Sequence, residues 1–356
     1  MMLFELIQVA IGKRTSLSHN PTAEEWGRLY ADAMKQSVAG VVFEGVQKLH
    51  KEQCPPQKLL FQWLGISEQI KQRNALLDKR CGELIDLMTS AGLHPTILKG
   101  QGIARSYLDS LQKCRQSGDI DVYVSDGYEK SIAFAKSQGQ KDISWDYKHL
   151  HLKVWKDTEI ELHYHVEVLL NLWKNKKLQK WFKQNENLMY EERDGMIMPT
   201  FSFNLFYVLL HIYRHFLYEG VGMRQLMDYY FVLMRADGHF EEYNDGKTIR
   251  DVLEMFGMYR FARGVSWVMQ EVFAIEDKYL YCEPLESEGR FILDQIMIGG
   301  NFGHYDKRLK QGKGKWNAVK AVWHHNLHLM NHYPTEILCV PIWFVWHKCW
   351  KWTRCS

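Results

Sequence analysis

Apolar and polar residues follow two different periods along this chain. From Met1 to Ala91 the apolar residues recur at helical spacing, and Thr22 followed by Glu25 forms a capping box that opens one helix. From Leu59 to Leu87 the spacing lasts long enough to predict one long helix, with Gly65 as a candidate break. We expect this helix to pack across the sheet that the next region predicts.

A period of two residues replaces the helical spacing after Ala91. Residues 93–98, 120–124 and 160–166 predict strands, residues 127–137 predict a helix, and residues 145–155 are a candidate extra strand. The helical spacing returns from Phe201 onward. The sequence therefore predicts an α+β fold: a small mixed β-sheet module (residues 92–198) between an amino-terminal helical region that packs on it (residues 1–91) and a carboxy-terminal helical domain (residues 199–356).

Two carboxylates lie on one face of the central predicted strand. Alternation places Asp119 and Asp121 together, opposite the apolar face of Ile120 and Val122. Like charges this close repel, so a divalent cation between them would explain the pair. The plainer alternative is an Asp-x-Asp sequence at a strand end or loop that binds no ion, which is common.

The strand predicted at residues 160–166 repeats this pattern, with Glu161, His163 and His165 on its polar face. Three acids on adjacent strands supply the oxygen ligands that Mg²⁺ or Mn²⁺ prefers, for one or two ions. Without an ion the three would repel each other. Replacing Asp119 or Asp121 by Asn should therefore leave the metal-free protein at least as stable.

Lys99 and Gly100 stand where the first predicted strand turns into a helix. A glycine at this place lets the backbone approach a ligand closely, and the N–H groups at a helix start bind phosphate. The order is then strand, phosphate-binding turn, helix, carboxylate strand, helix and a final acid-bearing strand.

Four motifs occur in a recognisable order: Leu98-Lys99-Gly100, Arg115, Asp119-Ile120-Asp121 and Glu161-Leu162-His163. In this order the chain resembles the polymerase-beta-type nucleotidyltransferase superfamily, above all a bacterial branch of nucleotidyltransferase family proteins. The resemblance implies that Asp119, Asp121 and Glu161 are the catalytic ligands of Mg²⁺ or Mn²⁺. It further implies that a nucleoside triphosphate binds near Lys99, Gly100, Arg115, Gly118, His163 and Arg224.

The first turn departs from the superfamily, whose members usually carry Gly-Ser or Gly-Gly there. This chain has Lys99-Gly100-Gln101, so the small hydroxyl that commonly touches the nucleotide phosphates is absent from that place. The resemblance implies attack by an acceptor hydroxyl or phosphate on the α-phosphate of the triphosphate, with release of pyrophosphate. The sequence does not identify the acceptor. If the changed turn has weakened catalysis, the chain is instead a nucleotide-binding or partner-binding module.

Other histidines leave two interpretations open. His149 and His151 share one face of the candidate extra strand, and together with His163 and His165 they suggest a zinc site. We favour the alternative, in which these imidazoles line a cleft and form hydrogen bonds with substrate, because no cysteine or helix-spaced ligand set accompanies them.

In the carboxy-terminal region, His211 and His215 share a helix face, as do Arg224 and Asp228. They form either a polar network that orients the nucleotide or acceptor, or a contact between helices with an intrahelical Arg224–Asp228 pair. We favour a structural role for Asp228. Arg224 remains a candidate phosphate ligand, because the resembled family carries a similar Arg-Gln-Leu-x-Asp segment.

The composition is that of an ordinary soluble protein, with 46% hydrophobic and 24% charged residues. The net charge of +3 is too small to indicate nucleic-acid binding by itself. The 7 cysteines form no Cys-x-x-Cys pair and predict reduced, mostly buried thiols in a cytoplasmic protein. The segment from Met1 to Lys13 lacks the apolar core of a signal peptide.

Two carboxy-terminal stretches suggest partners. The basic stretch from Lys307 to Lys320 surrounds Trp316 and suits an anionic acceptor, single-stranded nucleic acid or a membrane surface, although a solvated loop is commoner. The apolar residues 337–346 are too few to span a bilayer, which needs about 20 residues. This tail docks on the core or makes a peripheral membrane contact with its tryptophans at headgroup depth. A membrane-peripheral interaction protein is therefore a third functional hypothesis.

Overall fold

A computed structural model of the protein describes residues 1–240, 242–306 and 327–355 and confirms the α+β class. Its central sheet has 4 strands in the order β1-β2-β4-β3. The strands are β1 (Pro95–Ile97), β2 (Ile120–Val124), β3 (His149–Leu152) and β4 (Ile160–His163). β2 and β4 run parallel, while β1 pairs with β2 and β3 pairs with β4 in antiparallel fashion, so the sheet is mixed as expected.

Helices precede, interrupt and follow the strands of this sheet along the chain. Those before or within the sheet region are α1 (Met2–Ala10), α2 (Ala23–Lys35), α3 (Ala39–Gln47), α4 (Gln57–Ser90), α5 (Gln101–Ala104), α6 (Asp109–Gln112) and α7 (Gly127–Ser137). Those after it are α8 (Leu172–Gln184), α9 (Phe201–Tyr218), α10 (Met223–Ala236), α11 (Ile249–Phe256), α12 (Tyr259–Phe273), α13 (Glu286–Gly299) and α14 (Pro334–Cys355). A short hairpin of β5 (Glu191–Arg193) and β6 (Met196–Met198) separates α8 from α9.

The sheet packs on α4, the predicted long helix. Leu77 and Leu84 of α4 are fully buried in one core with Val122 of β2 and Leu162 of β4. α4 runs without interruption through Gly65, so the break that the glycine suggested does not occur. The predicted capping box of α2 is also present, with the Glu25 N–H donating to Thr22 Oγ1 and the Thr22 N–H donating to Glu25.

The first three helices join the carboxy-terminal helices in a second core. The Gln8 side chain of α1 donates to the carbonyl of Val272 in α12 at 3.0 Å, and the Gln36 side chain donates to the carbonyl of Ile296 in α13 at 3.0 Å. Trp26 is buried in the same cluster as the apolar residues of α9 to α13. Helices α1 to α3 and the carboxy-terminal helices therefore form one helical body beside the sheet. The division of the chain into three regions at residues 91 and 198 remains a prediction.

The two predicted carboxy-terminal stretches have different outcomes. The basic stretch from Lys307 to Lys320 lies outside the described residues, and so does its proposed role toward an anionic acceptor. The apolar stretch at residues 337–346 lies within α14, where Ile337, Val340 and Trp343 are buried. Among the helices in the described parts of the chain, none is long and apolar enough to cross a membrane.

Candidate functional site

A cavity of about 350 Å³ lies between the sheet and helices α9 and α10. Most of the predicted site residues border it: Lys99, Gly100, Arg115, Gly118, Asp119, Asp121, Glu161 and Arg224. His163 is fully buried next to this cavity, in contact with Asp121 and Glu161. The fold thus brings together residues, such as Lys99 and Arg224, that are more than a hundred positions apart in the sequence.

Asp121 and Glu161 lie side by side because β2 and β4 run parallel in a register that pairs these two residues. His163 Nε2 donates to Asp121 Oδ1 at 2.9 Å and lies 3.3 Å from Glu161 Oε2. Burial would lower the pKa of His163, but its hydrogen bonds to the two carboxylates outweigh burial and raise it. Burial likewise acts to raise the pKa of Glu161, and the hydrogen bond from His163 lowers it to about 2. The imidazole and the two carboxylates therefore favour one another's charged forms.

Asp119 stands one residue before β2 and borders the same cavity. The charge of Asp121, followed by burial, raises the pKa of Asp119, which means that the two carboxylates repel each other. One group of potential ligand atoms within 4.8 Å of one another consists of Asp121, Glu161 and His163, and Asp119 is not a member. The structure thus brings two of the three predicted acids together, and the role of Asp119 as a third ligand remains a prediction.

Lys99 points its ammonium group at this acidic pair. Its Nζ lies 2.8 Å from Asp121 Oδ1. Burial would lower the pKa of Lys99, but the charges of Asp121 and Glu161 outweigh it and the pKa rises. For Asp121, burial acts to raise the pKa, and Lys99 with His163 lowers it well below its usual range. The charge of Asp121 is therefore stabilised by the ammonium group of Lys99 and by the hydrogen bond from His163.

The turn after Lys99 is built as a tight bend. Gly100 has a φ of +56°, in the left-handed region, and a Cβ there would lie 3.4 Å from the Asp119 carbonyl oxygen. Gln101, which stands where the superfamily usually has a small residue, is buried and donates from Nε2 to Asp78 of α4 at 2.9 Å. Gln101 therefore ties the turn to α4, and its side chain takes no place in the cavity wall.

Arg115 has a carboxylate partner that the sequence did not reveal. Its Nε donates to Asp228 Oδ1 at 2.7 Å and its Nη2 donates to Asp228 Oδ2 at 2.8 Å, while Nη1 donates to Ser117 at 2.8 Å. Tyr107 donates a further hydrogen bond to Asp228 at 2.7 Å. The guanidinium borders the cavity while its fork holds Asp228, and a contact of Arg115 with a triphosphate remains a prediction. Asp228 is structural, as favoured above, although its partner is Arg115 and not Arg224.

Arg224 borders the cavity and, among the described residues, has no carboxylate partner. Its Nη1 donates to the Gln116 carbonyl at 2.8 Å and its guanidinium carbon lies 5.7 Å from the centre of the Phe302 ring. Among the residues the structure describes, no carboxylate lies within 4.0 Å of it, and its buried Nε has no hydrogen-bond partner. Burial, then the charge of Arg115, lowers the pKa of Arg224. An anionic ligand would relieve both penalties.

We call the side of the cavity formed by α9, α10 and the neighbouring Lys148 the helical wall. It holds a second charged cluster around Glu167, which is fully buried. His211 Nδ1 donates to Glu167 Oε2 at 2.9 Å, and Lys148 Nζ and Arg214 Nε lie 3.4 and 3.5 Å from Oε1. Burial, ahead of the opposing attraction of Glu167, lowers the pKa of Lys148. Arg214 Nη2 also lies 3.6 Å from Glu219 Oε1, so Lys148 and Arg214 face two carboxylates. The positive charge of this wall that has no carboxylate within 4.0 Å among the described residues is that of Arg224.

Sequence reasoning anticipated only part of this wall. The helical face shared by His211 and His215 is correct, and both residues border the cavity. Lys148, Glu167 and Arg214 were missed. Arg214 follows His211 by three residues and so shares its face, which is a usable signal. No local pattern connects Lys148 or Glu167 with α9, because their contact depends on the tertiary fold.

The remaining histidines are divided between two environments. The β3–β4 register places His149 opposite His163 and His151 opposite Glu161, and His149, His151 and Glu161 form a second group with potential ligand atoms within 4.8 Å. Burial, then the charge of His163, lowers the pKa of His149 to about 4. His149 borders the cavity, as the cleft interpretation expects, whereas His165 stacks on Tyr147 with ring centres 4.5 Å apart.

Comparison with known proteins identifies the family. Comparison with curated proteins gave no match, and comparison with solved structures gave none either. The family model described as uncharacterised nucleotidyltransferase matches residues 22–274. That match spans the long helix, the sheet, helices α9 to α12 and every residue that lines the cavity except Phe302. The chain therefore belongs to this uncharacterised nucleotidyltransferase family.

Proposed function

We propose that the protein is a metal-dependent nucleotidyltransferase that transfers a nucleoside monophosphate from a nucleoside triphosphate to an acceptor hydroxyl or phosphate and releases pyrophosphate. The observation that carries this proposal is the division of charge across one cavity. Asp121 and Glu161 are on the sheet wall, and Arg224 and the Lys148–Arg214 pair are on the helical wall. A metal–triphosphate complex needs acids for its cation and cations for its phosphates.

The residues of the sheet wall fit Mg²⁺ or Mn²⁺. Potential ligand atoms of Asp121 and Glu161 lie within 4.8 Å of each other, near the limit of about 4.2 Å that one ion spans at oxygen–metal distances of about 2.1 Å. Carboxylate oxygens are hard ligands, which suits these ions, and Asp119 would join them from the edge of β2. When bound, such ions lower the pKa of the acceptor and balance charge on the leaving pyrophosphate.

The chain's own groups would do the remaining work. His163 fixes the orientation of Asp121 and Glu161 through Nε2, as outer partners of ligand carboxylates do. Lys99, now 2.8 Å from Asp121, would turn toward the triphosphate once the charge of Asp121 is otherwise satisfied. Arg224, Lys148 and Arg214 would stabilise charge on the β- and γ-phosphates from the opposite wall. The nucleophile comes from the acceptor, so no protein hydroxyl or thiol is required.

A second candidate function, a nucleotide-binding module without efficient turnover, is favoured by one observation. Lys99 and His163 stabilise the charge of Asp121 and so occupy the place that a cation would take. If this pairing persists with nucleotide, the cavity would bind a triphosphate through its helical wall alone. Binding would then be independent of divalent cations, and no pyrophosphate would be released.

The test uses triphosphates labelled with ³²P at either the α- or the γ-phosphate. The full chain is incubated with Mg²⁺, each of the four nucleoside triphosphates and a fractionated small-molecule and macromolecular acceptor pool. Transfer of the α-label into a product, with the γ-label recovered in pyrophosphate, is the expected result. Transfer of the γ-label would indicate a phosphotransferase instead. Nucleotide binding without release of pyrophosphate in any acceptor fraction would favour the binding module.

The matched variants for this test are Glu161→Gln and Glu192→Gln. Both remove one carboxylate charge, but Glu192 lies exposed on β5, outside the cavity. Transfer should be lost in Glu161→Gln and retained in Glu192→Gln. Equal activity of the two variants would contradict the proposal, because the sheet wall would then have no role in the reaction.

A further inference from the structure

The last helix, α14, has an exposed apolar stripe. Leu338, Ile342, Val345 and Trp352 are exposed, with 63% of Leu338, 66% of Val345 and 75% of Trp352 accessible. Their spacings of four, three and seven residues place them on one face of the helix. We call these four residues the outer stripe. An apolar stripe of this length on a protein surface indicates a surface that another molecule covers.

The opposite face of α14 is what fixes the helix to the body of the protein. Trp343 is buried, and the rings of Trp346 and Trp350 pack edge-on against Tyr147 with centres 5.0 and 5.1 Å away. Glu336, at the start of α14, is fully buried and accepts a hydrogen bond from Lys174 of α8 at 2.7 Å. The position of α14 is therefore set by its inner face, and the core makes no use of the outer stripe.

The exposed charges of α14 and of α8, the helix to which it is tied, are basic. Glu336 is the only acidic residue in the sequence of α14, and it is buried, whereas Lys348 is exposed. α8, which Lys174 ties to α14, contains no acidic residue and exposes Trp173, 73% of which is accessible. It also exposes four lysines, Lys176, Lys177, Lys180 and Lys183. Apolar side chains, exposed tryptophan and unopposed lysine therefore occur together on two connected helices.

We propose that the outer stripe of α14 docks on an anionic lipid surface, with the helix lying in the plane of the interface. Leucine, isoleucine and valine side chains would enter the acyl boundary, tryptophan would sit at headgroup depth, and the lysines would face anionic headgroups. This occupant is favoured over a second copy of the chain. A symmetric pairing of two outer stripes would bring the basic residues of both copies together, and like charges would oppose it.

The test is cosedimentation of the full chain with vesicles of phosphatidylcholine alone or mixed with phosphatidylglycerol. We expect sedimentation with the mixed vesicles, weakened by salt, and little with phosphatidylcholine alone. Ile342→Ser/Val345→Ser removes apolar surface without changing charge and should weaken binding at least about tenfold. The control is Phe61→Ser/Leu64→Ser, an exposed apolar pair with the same spacing on α4, which should bind like the parent.

Both double variants alter exposed positions, so circular dichroism should show unchanged folding, and Trp352→Ser provides an independent variant at the far end of the stripe. Four results would overturn the proposal. The parent could stay in the supernatant with the mixed vesicles. The stripe variant could bind as well as the parent, or the control could lose binding equally. Finally, analytical ultracentrifugation could show a dimer that the stripe variant dissociates, with no vesicle binding, which would make a second copy the occupant.

Discussion

The two walls of the cavity differ in the elements that supply their residues. The sheet wall consists of residues on two hydrogen-bonded strands, β2 and β4, where Asp121 and Glu161 are register partners. The helical wall combines Lys148 from the approach to β3, Arg214 from α9 and Arg224 from α10. The first wall carries negative charge that Lys99 and His163 compensate, and the second carries positive charge that is only partly compensated.

This difference shows where the protein would need a ligand. On the sheet wall Asp121 is already paired with Lys99 and His163, so a cation must compete with Lys99 for Asp121. On the helical wall Arg224 has no carboxylate partner among the described residues. We therefore expect phosphate groups to bind first to the helical wall. Their binding then favours the movement of Lys99 away from Asp121, which makes Asp121 available to a cation. The predictions below test this division, from the largest expected effect to the smallest.

The largest effect is expected where Arg115 joins the two regions. Arg115→Ala leaves the buried carboxylate of Asp228 without its two-pronged partner, and breaking a buried pair in this way costs about 3–5 kcal/mol. The measurement is urea unfolding of the metal-free protein. Arg28→Ala is the control, because Arg28 is exposed in a surface pair on α2 and should change stability by less than about 1 kcal/mol. Similar stability of both variants would show that the Arg115–Asp228 contact is not structural.

Arg224→Ala should weaken triphosphate binding by about 1–3 kcal/mol, the range for charge-assisted hydrogen bonds, with little loss of stability. The physical reason is that Arg224 lacks a carboxylate partner in the described parts of the chain and donates only to a backbone carbonyl. Equilibrium titration with a non-hydrolysable triphosphate measures the effect, and Arg224→Lys, which keeps the charge, should bind more tightly than Arg224→Ala. Unchanged affinity in Arg224→Ala would remove this residue from the site.

Periodicity was sufficient to predict the α+β class, the long helix α4 and the placement of Asp121 and Glu161 on neighbouring strands. These features depend on local spacing and on strand pairing. Periodicity did not reveal that Asp228 is the partner of Arg115, because local spacing does not show which carboxylate a guanidinium meets 113 residues away. It also missed Glu167 and Lys148, whose roles follow from helix α9 packing over the sheet.

The metal-free stabilities of Asp119→Asn and Asp121→Asn should differ in direction. The sequence suggested that both would be at least as stable as the parent, and we keep this expectation for Asp119, whose charge is repelled by Asp121. For Asp121 the expectation is reversed. Its carboxylate holds Lys99 at 2.8 Å and His163 at 2.9 Å, and the loss should cost about 1–3 kcal/mol.

Chemical unfolding in the presence of a chelator measures both free energies. The paired design is its own control, since each variant removes one carboxylate charge and keeps the side-chain shape. If Asp121→Asn matched or exceeded the stability of the parent, the contacts with Lys99 and His163 would not stabilise the fold.

The smallest effect is expected for Lys99→Met, measured as the affinity for Mn²⁺ without nucleotide. Removing the ammonium group frees Asp121 from its competing cation, so Mn²⁺ should bind several-fold more tightly, roughly a 1 kcal/mol gain. Isothermal titration calorimetry provides the readout, with Lys130→Met as the control because Lys130 pairs with Asp126 on the surface of α7. Weaker Mn²⁺ binding in Lys99→Met would contradict competition between lysine and metal.

The central claim is that both walls bind one metal–triphosphate complex, and its most direct test is the metal dependence of triphosphate binding. Each of the four non-hydrolysable nucleoside triphosphates is titrated into the parent and into Glu161→Gln, with Mg²⁺ or with a chelator. We predict that Mg²⁺ tightens binding of the preferred triphosphate to the parent at least about tenfold and that Glu161→Gln loses this enhancement while retaining the metal-independent part. Binding to the parent that is equally tight with and without Mg²⁺, or an enhancement that survives in Glu161→Gln, would contradict the claim.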